Sequence, residues 1–138
     1  MSEDSTTPDL VELVRLVIEA INRRDFDAVE SFYAGDAVYV GTEIGTLAGA
    51  AAIRREIEDM MRSYDDFHAA NEEVLDLGNG VTFCVRVFTA HPVGSSGEVR
   101  IRFGSVASWT EGLIERENTY VDIAEARAAA ERLAEARG

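Results

Sequence analysis

Lysine is absent from the 138 residues, since all thirteen basic side chains are arginine. No side-chain amine is therefore available to form a Schiff base or to hold pyridoxal phosphate covalently. Cysteine is nearly absent too. The lone Cys84 has no partner for an internal disulfide and lies in an apolar run, where a buried, inert thiol is expected rather than a nucleophile. No hydrophobic stretch approaches the roughly 20 residues that span a bilayer, and the first seven residues are acidic and polar, unlike a secretory leader, so a cytoplasmic location is expected. There are only two histidines, His68 and His91, and no close-spaced ligand motif, so no metal site is expected. No glycine-rich phosphate loop, nucleotide fingerprint or nucleophile elbow follows a strand, and no cofactor is expected. Positive charge is also scarce: the formal charge is −13 with no basic stripe, which disfavours nucleic acid and anionic membranes as partners.

What is present suits one small core, with 46% hydrophobic residues in a single expected domain over 1–138. Residues 1–7 read as a disordered tail. Thr7-Pro8-Asp9 resembles a helix start, and Leu10, Leu13, Val14, Val17, Ile18 and Ile21 then recur at helical spacing. Asp25 can cap a second short helix carrying Val29, Phe32 and Tyr33, and Ala37 to Val40 reads as a short strand. A glycine-containing loop over 41–49 leads to a third helix, with Ile53, Ile57, Met60, Met61 and Tyr64 as its buried stripe. The second half changes period: β-branched and aromatic residues alternate between glycine turns at 78–80, 94–97 and 111–112, predicting a four-stranded meander. Asp122 with Glu125 approximates a capping box for a terminal helix over 123–138. The fold class is α+β: a curved, mainly antiparallel sheet covered on its concave face by three N-terminal helices.

Two-residue hairpin loops at Asn79-Gly80, Ser95-Ser96 and Glu111-Gly112 would fix which residues face each other. One face then carries rows of Leu77, Thr82, Trp109 and Ile114; of Leu75, Cys84, Ala107 and Arg116; of Glu73, Arg86, Ser105 and Asn118; and of Asn71, Phe88, Phe103 and Tyr120. This reads as the concave face, with apolar walls and a polar centre suited to a small-molecule pocket. Glu73 is the expected proton-transfer residue, opposed in its pKa by burial and by Arg86, unless the two merely form a cross-strand ion pair. Asn118 and Tyr120 are placed to polarise a carbonyl. Arg86, Arg116, Ser105, Phe88, Phe103, Trp109 and Tyr64 are expected to contact the substrate. His68 and His91 pair with each other on the convex side. There, Val74, Phe83, Val85, Val87 and Val106 form an apolar cluster that, left uncovered by a terminal segment, predicts a homodimer. A β-bulge would flip these faces.

The segments AINRRDFDAVESFYAGDAVYV, AIRREIEDMMRSYDDF and SWTEGLIERENTYVD, in that order, resemble the SnoaL-like branch of the nuclear-transport-factor-2-like superfamily. The resemblance implies a cone-like α+β barrel, commonly dimeric, with a ligand cavity between helices and sheet. Its members include polyketide cyclases, ketosteroid isomerases, epoxide hydrolases, dehydratases and proteins with no catalysis. The isomerases' base and oxyanion-hole tyrosine correspond here to Val40 or Gly41 and to Val17. The arginine and aspartate arrangement of limonene-type epoxide hydrolases has no clear match. The alternation Arg116-x-Asn118-x-Tyr120-x-Asp122 resembles the pocket-facing last strand of SnoaL-like relatives, with Asn118 where an acid is common. Two functions remain open: a cofactor-independent isomerase, cyclase or hydrolase acting on a small, largely apolar oxygen-bearing substrate, or a non-catalytic homodimeric ligand-binding protein.

Overall fold

The computed structural model describes residues 9–41 and 44–138. The elements run α1 (Leu10–Asn22), α2 (Phe26–Ser31), β1 (Tyr33–Gly41), β2 (Gly45–Ala48), α3 (Ala50–Arg62), β3 (Tyr64–Gly78), β4 (Val81–Pro92), β5 (Val99–Thr110), β6 (Leu113–Tyr120) and α4 (Ile123–Arg137). Asp9, rather than a hydroxyl residue, caps α1 by accepting from the Glu12 amide, and Asp25 and Asp122 cap α2 and α4 in the same way. The Thr7-Pro8 start and the 1–7 tail lie outside the described residues. The 41–49 loop contains a short strand, β2, that pairs with β1.

The six strands form one sheet in the order β2-β1-β6-β5-β4-β3, antiparallel except for the parallel β1–β6 pair. The apolar stripe of α1 (Val14, Val17, Ile18 and Ile21) packs with Ile53 and Met61 of α3 against the concave face, alongside Trp109, Phe67 and Ile114. Burying each such side chain contributes about 1.5–3 kcal/mol. Asn22 ties the end of α1 to the sheet, exchanging both amide hydrogen bonds with Ala69 at 2.8 and 2.9 Å. The convex face is also covered. On it α4 lays Ala126, Ala130 and Ala134 over Val81, Phe83, Val85 and Val106, forming a second core.

That cover changes the meaning of the apolar cluster on which the homodimer expectation rested. Phe83, Val85 and Val106 are satisfied by the chain's own last helix, while Val74 packs into the other core. Small residues make the fit possible: a Cβ added at Gly104 would stand 2.5 Å from that of Ala126. Ion pairs fix both ends of α4. Arg127 donates to both oxygens of Glu73 at 2.9 and 3.0 Å, and Arg137 pairs with Glu115 at 2.9 Å.

Register is where sequence and structure part. The hairpin loops at Asn79-Gly80 and Glu111-Gly112 form as expected, all four residues having positive φ. The β4–β5 connection is longer than Ser95-Ser96, because the ladder ends at Ala90↔Val99; the slip is by an even number, so the faces survive while the rows move. Arg86 consequently faces Phe103, and Cys84 faces Ser105. Bulges alter the rest. Between Asn71↔Arg86 and Glu73↔Val85 the strand β3 carries an extra residue, and between Trp109↔Ile114 and Ser108↔Arg116 so does β6. Each bulge turns the following residues to the other face.

Candidate functional site

On the concave face the polar centre is built around Glu117, which is 3% exposed. Its pairing with Ala107 on β5 and Tyr39 on β1 points it inward. One carboxylate oxygen accepts from the Tyr33 hydroxyl at 2.6 Å. The other accepts from the Ser105 hydroxyl at 2.6 Å and from Arg86 Nη1 at 3.4 Å. Arg86, 7% exposed, also donates through Nε to Asn71 Oδ1 at 3.2 Å and through Nη2 to Cys84 Sγ at 3.2 Å. Nearby, Trp109 Nε1 donates to Thr82 Oγ1 at 2.9 Å. Buried polar groups of this kind are tolerable because each has a partner.

The network sets the ionisation of its members. Burial, reinforced by the Glu117 carboxylate, pushes the Tyr33 phenol well above its ordinary value, and Tyr39 is raised by the same two causes. Burial opposes the Arg86 charge more than any single neighbour supports it, but the acidic groups around it, Glu117 among them, together outweigh that penalty, and its pKa lies above the usual guanidinium value. Burial likewise raises the Cys84 thiol, as befits an inert sulfur. Val14 and Val17 of α1 roof the site, and the space left among these side chains is about 10 Å³, room for about one water.

Among the residues singled out from the sequence, Arg86, Ser105 and Trp109 line this concave space. Phe88, Phe103 and Tyr64 join Phe67 in an aromatic row, with ring centroids 4.9–6.0 Å apart. The other four are elsewhere. Glu73 lies on the convex side holding Arg127, because a further extra residue in β3 between Asp76 and Gly78, nearer the turn, pairs it with Val85 instead of Arg86. Arg116, Asn118 and Tyr120 also lie on the convex side, because the bulge at Glu115 turns β6; they line a separate cavity of about 330 Å³ beneath α4. His68 and His91 are not cross-strand partners: His68 faces Thr89, and His91 faces Asp66, with Nδ1 3.2 Å from its carboxylate. Among the described residues no three His, Cys, Asp or Glu side chains converge as metal ligands would.

The residues missed in the sequence are Glu117 and Tyr33. For Glu117 the available signal was the paired charges Glu115-Arg116, matched in β3 by Glu72-Glu73; Tyr33 on β1 carried none. In a strand buried on one face, two consecutive charged residues both reach the outer side only if a bulge separates them. Here all four do so. Glu72 meets Arg102 at 2.7 Å on the outer face beside the Glu73–Arg127 pair, and Glu115 reaches Arg137 of α4.

Solved structures share this architecture. A hypothetical protein of Catenulispora acidiphila with a ketosteroid isomerase-like fold, in complex with trimethylamine, superposes with a TM-score of 0.73 at 17% identity, covering 86% of this chain and 92% of its own. An NTF2-like protein of unknown function from Burkholderia pseudomallei gives 0.73 at 18% identity, with 90% and 98% covered. An LEH-like epoxide hydrolase of M. tuberculosis gives 0.68 at 16% identity, with 88% of each chain covered. Identities this low establish the shared fold alone. No curated protein matches the sequence. No described helix is long and apolar enough to cross a membrane. The model of the SnoaL-like domain family matches residues 14–117, three strands of the meander included, and the chain belongs to that family.

Proposed function

We propose that the protein binds a small, oxygen-bearing molecule on its concave face, beneath α1, and holds it without chemical change. The observation that carries this reading is the state of Glu117. A general base needs an oxygen open to the proton it abstracts, yet both oxygens here already accept hydrogen bonds, from Tyr33, Ser105 and Arg86. A ligand oxygen would take the place of the single water that the site can hold, with its apolar body lifting Val14 and Val17.

A hydrolase is the second reading, favoured by that same water-sized space beside a buried carboxylate and arginine. In it, Glu117 would accept a proton from the water while Tyr33 gave one to the leaving oxygen. Cyclohexanone and cyclohexene oxide separate the two. Binding should appear as NMR shifts in α1 and around Arg86, strengthened in Val17→Ala, which enlarges the space, with the oxide recovered intact. Conversion of the oxide to its diol, abolished in Glu117→Gln, would overturn the binding reading in favour of the hydrolase. Absence of binding even to Val17→Ala would remove both.

A further inference from the structure

We propose that the space between the outer face of β5–β6 and α4 is a second ligand site, for a small carboxylate that also carries a hydroxyl or N–H donor. It lies on the opposite side of the sheet from Glu117, so it stands or falls independently of the concave site. Its volume, about 330 Å³, lies within the range of small-molecule pockets, whereas the concave space holds about one water.

Three features define the ligand. The first is charge: Arg116 and Arg132 line the cavity from the strand and the helix, no carboxylate side chain lines it, and the chain as a whole carries −13. Among the described residues neither arginine is seen in an ion pair, unlike Arg127 and Arg137 on the same helix. Two guanidinium groups facing one space suit a carboxylate, which can accept paired N–H donors. The second is an unmet acceptor. Asn118 Oδ1 is buried in the cavity wall without a hydrogen-bond partner. Stranding a buried carbonyl is unfavourable, and a ligand hydroxyl or N–H would satisfy it once the Asn118 amide turned its enclosed oxygen toward the cavity. The third is the wall: Val106 and Leu133 face the same space and offer an apolar surface to the ligand's body. Because both arginines are exposed, the carboxylate sits at the mouth and the donor reaches inward to Asn118.

The probes are 4-hydroxybenzoate, benzoate and the neutral 4-hydroxybenzamide, titrated into the full chain by calorimetry with amide shifts mapped by NMR. 4-Hydroxybenzoate is expected to bind at millimolar concentration or better, with shifts confined to β6, β5 and α4. Arg116→Met and Arg132→Met should each weaken it about tenfold. The benzamide should not compete. The preference for 4-hydroxybenzoate over benzoate should vanish in Asn118→Leu, which keeps the shape and removes the acceptor. Ser105→Ala, on the concave face, should leave binding unchanged. The proposal fails if neither acid binds, if binding ignores both arginines, or if the shifts fall around Tyr33 and Arg86. It also fails if Arg116 and Asn118 become protected as protein concentration alone rises, which would assign the cavity to a second copy of the chain.

Discussion

Arg86 and Glu117 illustrate how a single side chain depends on its partner. Each is nearly inaccessible, so removing one leaves the other charged and stranded, which costs about 3–5 kcal/mol. Arg86→Met should therefore lower the urea midpoint strongly. Adding Glu117→Gln to it should recover part of the loss, because the stranded charge disappears; independent, additive losses would show that the two do not interact. Tyr33 and Tyr39 predict the alkaline limit. Their phenols are raised in the folded state, by burial first and by Glu117 next. A raised folded pKa contributes stability that is fully present below the unfolded value of about 10 and is lost as pH rises above it. Stability should fall above about pH 10, where unfolded tyrosine ionises and folded tyrosine does not. Tyr33→Phe should flatten that fall in denaturant titrations taken across the alkaline range, and an unchanged slope would remove Tyr33 as a cause.

At the scale of elements, the contact of α4 with β5 is set by small residues. Gly104 admits the helix because it has no Cβ, and Ala126, Ala130 and Ala134 present the least bulk to the strands below. Gly104→Val should push α4 from the sheet and lower the melting temperature by several degrees, since overpacking typically costs about 1–3 kcal/mol. The Glu73–Arg127 pair should contribute less, being exposed and screened. Much of this level was legible. Helical spacing located α1 and α3, the Asp25 and Asp122 caps were evident, and the Asn-Gly and Glu-Gly turns placed two hairpins. Faces were less legible, because an unbulged β6 would bring Arg116 and Asn118 inward in place of Glu117, and both sets are polar. Composition does not choose between two polar sets, and the run Glu115-Arg116-Glu117 signals a bulge without placing it.

For the whole molecule, the two cores on opposite faces of one sheet make α4 as necessary as α1. Val85 is 2% exposed beneath it, so Val85→Glu should destabilise folding by several kcal/mol, in keeping with burial of an unpaired charge, rather than merely separate two subunits. Removing residues 123–138 should expose Phe83, Val85 and Val106 together, and sedimentation should then show self-association or aggregation. A truncated chain that remained monomeric and soluble would contradict the structural role given to α4.

The sequence by itself determined the class of fold, the order of elements apart from β2, the lack of a side-chain amine, and the concave placement of Arg86, Ser105, Trp109 and the aromatic row. These follow from composition and from periodicities that local geometry imposes on a chain. Only the tertiary structure decided that Glu117 rather than Glu73 meets Arg86, that Tyr33 closes the network, and that Arg116, Asn118 and Tyr120 line a cavity on the far side. The physical reason is the two-residue period of a strand: one extra residue exchanges its faces, and strand pairing and the docking of α4 favour the bulged arrangement.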